Sequence, residues 1–323
     1  MSKIINWGIL GPGKIAKKFA LGLSYVPNAN LYAAASRSLE KAKDFSAEMG
    51  ADKAYGSYTE MLNDPKVDAV YIATPHVFHY EHTLLCLKHK KPVLCEKPFA
   101  MNKDQVKEMI DFAQKQDTFL MEAMWTHFLP HFKYTKEVIK SGKYGKVLAM
   151  EADFGFDAPF NANSRIYNKA LGGGSLLDIG IYPIFAALSF LGKPEKIEAT
   201  AKMTKTEVDA RCHATFFYPE NVKAELYSFV DKHTDVAATI KLEKAEIYIK
   251  PRFHQPSSVV ITTENDCFTK EFGVKANGYN FEAEHVGQML LEGKKESTEM
   301  SFDKSLELIE MLDKVREKIG LEY

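Results

Sequence analysis

Residues 4–16 read IINWGILGPGKIA, an apolar run followed at once by Gly11-Pro12-Gly13-Lys14-Ile15-Ala16. The apolar part, 4–10, predicts a short buried strand, and the stretch from Lys14 to Leu23 predicts a helix. A GxGxxA pattern alone is a common small-residue turn. Here it follows a strand and opens a helix, which is the context a phosphate-binding loop requires. Gly11 makes the tight turn, Gly13 lets the backbone approach a pyrophosphate, and Ala16 allows close helix–strand packing. The backbone amides at Lys14 and Ile15 and the helix dipole then face the anion. These residues point to a bound dinucleotide.

The pattern around this loop sets the fold class. Leu31–Ala35 is a second apolar run; Ser38 then caps a helix carrying Leu39, Ala42, Phe45 and Met49 on one face, and Gly50 ends it. Val67–Ala73 and Val93–Cys95 are further strands, with a helix at Tyr80–Lys88 between them. Asn102 caps the next helix with Gln105 placed for a capping box, and Phe119–Glu122 closes the series. Strands alternating with helices argue for α/β class, a doubly wound parallel Rossmann sheet covered on both faces, over residues 1–123.

After Met124 the pattern changes. A helix near Phe132–Lys140, a strand near Val147–Phe156, an irregular loop and a helix near Ser175–Phe190 precede a long alternating stretch, Ile197–Phe272. Pro219-Glu220-Asn221 and Glu264-Asn265-Asp266 read as its hairpin turns. Helices near Phe281–Leu291 and Asp303–Ile319 finish the chain. Residues 124–323 are thus expected to form an α+β substrate domain on one large, mainly antiparallel, open-faced sheet.

Bulk properties narrow the partners. The chain has 323 residues, 46% hydrophobic and 26% charged, with 42 basic against 43 acidic side chains. That balance gives no electrostatic footprint for nucleic acid or an anionic membrane. The opening MSKIINWGIL is too short an apolar run for a signal peptide, and no uninterrupted apolar stretch approaches the roughly 18 residues that span a bilayer. Cys86, Cys95, Cys212 and Cys267 form no CxxC pair, so reduced thiols in a cytoplasm are expected.

The second strand, LYAAA, ends in Ser36-Arg37-Ser38. An NAD site places Asp or Glu here to accept from the ribose 2′-hydroxyl. With no carboxylate present a 2′-phosphate is not repelled, Arg37 offers a planar fork for it, and the serine hydroxyls can donate. Lys41 is a second, weaker candidate. The reading is NADP over NAD.

The fourth strand runs into Glu96-Lys97-Pro98, where a parallel sheet presents residues to its ligand crevice. There the Lys97 cation can hydrogen-bond a substrate oxygen and favour an alkoxide. A second cluster is GGGSLLDIGIYP, residues 172–183. Its triple glycine allows close backbone approach to a ligand or to the other domain. Asp178 and Tyr182 stand four residues apart and share a helix face. Tyr182 is a candidate general acid/base, assisted by Lys97 and oriented by Asp178. From the residues alone, Asp178 is as well explained by helix capping with Ser175 nearby, and Tyr182 by core packing. The histidine sets His76/His79/His82 and His127/His131 lack partners at zinc spacing, so no metal is expected.

Taken together, the phosphate loop, Ala73-Thr74-Pro75 with His79, Glu96-Lys97-Pro98 and GGGSLLDIGIYP resemble the Gfo/Idh/MocA oxidoreductases along nearly the whole chain. Tyrosine at 182, where many members carry histidine, and Leu120-Met121-Glu122-Ala123-Met124-Trp125 are similar to the branch of dimeric dihydrodiol dehydrogenase and NADP-linked D-xylose 1-dehydrogenase. The resemblance implies Lys97 and Tyr182 as the catalytic pair with Asp178 in support. It implies Thr74, Pro75, His79, Glu96 and Trp125 around the nicotinamide, and a homodimer through the open sheet. The expected activity is hydride transfer at a hydroxyl or carbonyl carbon of a sugar-like or vicinal-diol substrate. The rivals are a non-catalytic NADP-binding sensor and a reductase of a non-sugar substrate such as a tetrapyrrole.

Overall fold

Strand β1, Ile5–Leu10, carries Trp7, Ile9 and Leu10 fully buried. In the computed structural model, which describes residues 3–323, it lies inside a six-stranded parallel sheet. Met1 and Ser2, the start of the opening stretch read above, fall outside the described residues. Helix α1 is Lys14–Leu23, β2 is Ala29–Ala35, α2 is Leu39–Met49, β3 is Lys53–Tyr55 and α3 is Tyr58–Asn63. Then come β4 Ala69–Ile72, α4 His79–Lys88, β5 Val93–Glu96, α5 Lys103–Lys115 and β6 Leu120–Ala123. The order β3-β2-β1-β4-β5-β6 reverses direction between β1 and β4, the switch point outside which such sheets bind ligands.

The local signals act as the sequence predicts. Ser38 Oγ accepts from Lys41 N at 3.4 Å, and Gly50 takes the left-handed conformation (φ 76°) that ends α2. Asn102 Oδ1 accepts from Gln105 N at 2.9 Å, but Gln105 Oε1 returns to Met101 N at 3.0 Å, one residue further back than a capping box requires. The elements not foreseen, β3 and α3, have 3 and 6 residues, too few for periodicity to register.

Helix α6 is Pro130–Lys140, β7 is Val147–Gly155 and α7 is Ile181–Leu191. Strands β8 Lys196–Met203, β9 Asp209–Phe217, β10 Lys223–Phe229, β11 Ala238–Leu242, β12 Glu246–Ile249, β13 Val259–Thr262 and β14 Cys267–Lys270 follow. With β7 they make an eight-stranded sheet, ordered β14-β13-β12-β11-β7-β10-β9-β8 and antiparallel except for β7 beside β10. Burial alternates along β9 and β10, so Ala210, Cys212, Ala214, Phe216, Ala224 and Leu226 face the core under α7. Arg211, His213, Tyr227 and Phe229 stand on the opposite, half-covered face.

The segment Lys169–Leu191 is long and apolar enough to cross a membrane by length and composition, with a mean hydropathy of 1.6. Lys169, Ser175 and Asp178 break it, so it is not an uninterrupted apolar run, and 78% of its apolar window is buried. One expectation changes. The boundary near residue 124 is too simple. One compact unit runs up to Phe128 and takes back Val274–Leu306; the other is Leu129–Gly273 with Glu307–Tyr323. The returning segment contains α8, Tyr279–Leu291, which packs on α1. At Gly22 of α1 a Cβ would stand 2.7 Å from Tyr279 Cβ, and Asn277 Nδ2 donates to Lys18 O at 2.7 Å. Helix α9, Phe302–Lys318, begins in the first unit and continues in the second.

Candidate active site

In the first unit the foreseen residues gather at the carboxyl ends of β1, β2, β4 and β5. Gly11 has φ 91°, and a Cβ there would lie 2.6 Å from Thr74 Cγ2, so the phosphate loop rests directly on the turn after β4. At Gly13 a Cβ would meet no protein atom within 4 Å. No side chain caps α1 and no acidic residue occupies its first turn. The amides of Lys14 and Ile15 therefore belong to a helix terminus suited to an anion. The residues present fit a dinucleotide pyrophosphate.

Ser36 N donates to Tyr55 O at 3.1 Å and Ser38 N to Ser36 Oγ at 3.3 Å, which fixes the turn carrying the exposed Arg37. Two residues the sequence reading passed over stand close to it. His82 is held low, at about 4, by burial and then by the Arg37 charge, and burial raises Tyr58 while the same charge lowers it. The His82 and Tyr58 rings meet edge to face at 4.9 Å, and His82 Nδ1 lies 3.0 Å from Thr74 Oγ1. His82 thus spans from the phosphate-loop neighbour Thr74 towards Arg37. Its spacing of three from His79 on α4 is legible in the sequence, where it reads as a metal motif and not as part of an anion site. Among the described residues no three His, Cys, Asp or Glu groups come together as metal ligands.

His79 is placed differently from the expectation that it lines the cofactor. It is 1% exposed, with Nδ1 2.8 Å from Pro98 O and Nε2 2.8 Å from Thr74 O. Burial lowers it to about 3, so the neutral ring ties together the loops after β4 and β5 from behind. Pro75 is exposed beside Thr74. Glu96 is likewise turned inward: Tyr71 Oη donates to its Oε1 and Lys97 N donates to its Oε2 at 3.1 Å. Two residues on, Phe99 N donates to Glu122 Oε1 at 3.1 Å. Buried carboxylates thus grip the backbone on both sides of the Lys97 side chain, which is half-buried. Burial pushes Glu122 up to about 7, against the pull of Ser305, Phe99 N and the Lys97 ammonium. Trp125 stacks on Tyr279 of α8 at 4.2 Å and 12°.

In the second unit, Leu176–Gly180 forms a π-helical turn that runs into α7, so Asp178 and Tyr182 sit across a widened turn and not on a regular α-helix. Such turns recur at functional sites. Gly180 permits it: a Cβ there would lie 2.9 Å from Ser228 Oγ on β10. Ser175 does not cap this segment. Its hydroxyl donates to Asp209 Oδ2 at 2.6 Å, and the same carboxylate accepts Leu176 N at 2.7 Å. Asp209 is fully buried and raised to about 6 by that burial, against those hydrogen bonds. The triple glycine makes room within its own unit. A Cβ on Gly173 would lie 2.6 Å from Ile166 O, and one on Gly174 would lie 2.1 Å from Asp209 Oδ1. Asp178 accepts a bidentate pair from Arg165, NH1 and NH2 each at 3.0 Å. Tyr182, 6% exposed, has its ring 5.6 Å from Phe154 and 5.0 Å from His254.

Residues 5–124 match the Gfo/Idh/MocA oxidoreductase model with an NAD-binding Rossmann fold, and 132–248 match the C-terminal domain model of the same family. The chain belongs to the Gfo/Idh/MocA family. It is 36% identical over 328 residues to a trans-1,2-dihydrobenzene-1,2-diol dehydrogenase of Xenopus laevis, covering 98% of this chain and 99% of that one. It is 33% identical to the Homo sapiens enzyme of the same name over 99% of this chain and 98% of that one. Among solved structures, the 3-ketoreductase KijD10 of Actinomadura kijaniata with NADP and TDP-benzene aligns with a TM-score of 0.88 at 25% identity, over 98% of both chains. An aldose-aldose oxidoreductase of Caulobacter crescentus, complexed with glycerol, shares the fold with a TM-score of 0.89 at 23% identity over 98% of both. The family and fold class anticipated from the motifs are those found. Asp209, Arg165 and His82 were missed because their partners, 8 to 34 residues away, stand at no regular helix or strand spacing from them; besides the His79/His82 spacing, the odd aspartate opening the apolar alternation of β9 is the local signal.

Proposed function

We propose that this Gfo/Idh/MocA protein is an NADP-dependent dehydrogenase or reductase acting at a hydroxyl or carbonyl carbon of a vicinal-diol or sugar-like substrate. The observation that carries this is Lys97 at the carboxyl end of β5, with the backbone on both sides of it held by buried carboxylates. The dihydrodiol dehydrogenase relatives support the diol class. When bound, the nicotinamide supplies the hydride donor or acceptor. Tyr182 exchanges the substrate hydroxyl proton, Lys97 stabilises the developing alkoxide, and Asp178 orients the substrate or the lysine. Gly11, Gly13, Lys14 and Ile15 hold the pyrophosphate, and Ser36 with Arg37 holds the 2′-phosphate. Thr74, Pro75, Lys97 and Trp125 line the nicotinamide end, with His79 and Glu96 fixing their loops.

Steady-state NADP⁺ reduction and NADPH oxidation across vicinal diols, pentoses, hexoses and dicarbonyls tests the reading. We expect turnover, a loss of at least about 10²-fold in kcat for Tyr182→Phe, as for a general acid/base, and an NADP-selective loss of affinity for Arg37→Ala. A Tyr182→Phe protein with full turnover, or cofactor binding with no turnover of any substrate, overturns it. The second outcome would favour a sensor. The half-covered sheet face bearing Arg211, His213, Tyr227 and Phe229 supports a homodimer, to be checked by sedimentation. The four unpaired cysteines, three of them buried, support a reducing, cytoplasmic location, to be checked by fractionation.

A further inference from the structure

The irregular loop between β7 and the triple glycine is anchored by the buried Tyr167 and carries Arg165 two residues before it; three observations converge on Arg165. The first is its contact: both terminal guanidinium nitrogens donate to Asp178, one to each carboxylate oxygen, at 3.0 Å. This planar two-point geometry fixes the plane of the carboxylate as well as its position. The second is its seat. Asn168 N donates to Ser164 O at 2.9 Å, Gly173 N to Asn168 O at 3.0 Å and Gly174 N to Ile166 O at 2.8 Å, so the Arg165 segment is stitched to the glycines that lead into Asp178. At Gly173 any Cβ would lie 3.0 Å from Arg165 O as well as against Ile166 O, so only glycine admits this approach. The third is exposure. The Arg165 side chain is 42% exposed and that of Asp178 13%. With the guanidinium this open to solvent, the pair contributes modestly to stability, on the order of 1 kcal/mol, while its two-point geometry fixes the carboxylate.

We propose that Arg165 is a positioning residue for the reaction: it orients Asp178 so that the carboxylate presents a fixed acceptor edge four residues before Tyr182. Each carboxylate oxygen has the capacity to accept a second donor besides the guanidinium, and the class of donor that suits it is a substrate hydroxyl adjacent to the reacting carbon. Arg165 acts through Asp178 and not by touching substrate. The inference rests on the catalytic assignment above.

The test is a double-mutant cycle on the full-length protein, using whichever vicinal diol or sugar the wild type turns over. NADPH fluorescence titration and thermal melts serve as controls for cofactor binding and folding. Arg165→Ala is expected to lower kcat/KM at least about tenfold with NADPH affinity within about twofold of wild type. Arg165→Lys, which keeps the charge without the fork, should fall between. In an Asp178→Asn background the Arg165→Ala step should shrink to less than about twofold, since residues acting as one unit are not additive. Millimolar guanidinium ion should restore part of the Arg165→Ala activity and none in the double variant. A loss of equal size in both backgrounds, or wild-type kcat/KM in Arg165→Ala, overturns the proposal while leaving the catalytic assignment intact. Should Arg165→Ala melt below the assay temperature, Arg165→Lys replaces it in the same cycle, with the same two outcomes deciding. A wild-type protein that turns over nothing defeats the catalytic assignment and this inference together.

Discussion

Glu282, on α8, is fully buried, and neither of its carboxylate oxygens has a hydrogen-bond partner among the described residues. Burial and the neighbouring Glu96 push it well above the usual carboxylate range, and Glu122 lies at about 7 for a related reason. A folded state that holds these protons more tightly than the unfolded chain gains stability below the unfolded carboxylate value near 4.5. It loses that gain as pH rises through the folded values. The cost therefore falls at neutral and alkaline pH. Glu282→Gln should melt close to wild type at pH 5 and above it at pH 8, by on the order of 3 °C for each kcal/mol relieved in a protein of this size. Equal differences at both pH values would show that the buried charge is not the cause. Glu122, together with Glu96, fixes the backbone where Lys97 leaves β5: Glu96 accepts the amide of Lys97 and Glu122 that of Phe99.

At the scale of elements, the segment that carries Asp178 and Tyr182 is a connector fitted to its neighbours. The π turn at Leu176–Gly180 takes its first amide bond from Asp209 on β9, and Gly180 lets it lie on β10. Ahead of it, Gly173 abuts backbone atoms on two sides, Ile166 O and Asn168 N, at 2.6 and 2.9 Å from a built Cβ. Backbone cannot yield as a flexible side chain can, so Gly173→Ala is expected to cost about 1–3 kcal/mol as an overpacking change. Because it displaces the Arg165 segment, it should also lower kcat/KM. Gly142→Ala, in a left-handed turn where a Cβ meets nothing, should lose stability only, and melts with kinetics on both variants separate the effects. In the sequence this glycine run admits a ligand or the other domain; its spacing says that something approaches closely and not what.

At the scale of the molecule, the Rossmann unit is not a continuous stretch of chain. Val274–Leu306 returns to it and brings α8, with Tyr279 stacked on Trp125 and Glu296 bridging to Leu120 at the start of β6. A protein ending at residue 123 should therefore expose the apolar faces that α8 covers on α1, and aggregate or melt early. One in which residues 1–128 are joined by a flexible linker to 274–306 should melt higher and bind NADPH. Equal melting temperatures for the two would count against this division.

What the sequence by itself determined is whatever is encoded locally. The strand–Gly11–Gly13–helix turn, the caps at Ser38 and Asn102, the period-two alternation through β8–β14 and the missing carboxylate at Ser36-Arg37 each depend on residues within a few positions of one another. The family motifs add Lys97, Asp178 and Tyr182 for the same reason. Tertiary structure alone decided the rest: that His79 and Glu96 brace the loops from behind, that Asp209 and not Ser175 caps the π turn, that Arg165 grips Asp178, and that α8 belongs with the phosphate loop. These depend on which groups burial brings together across up to about 260 positions of chain, as between Lys18 and Asn277. A hydrogen bond or a close packing contact is set by distance in space, and a linear pattern carries no measure of it.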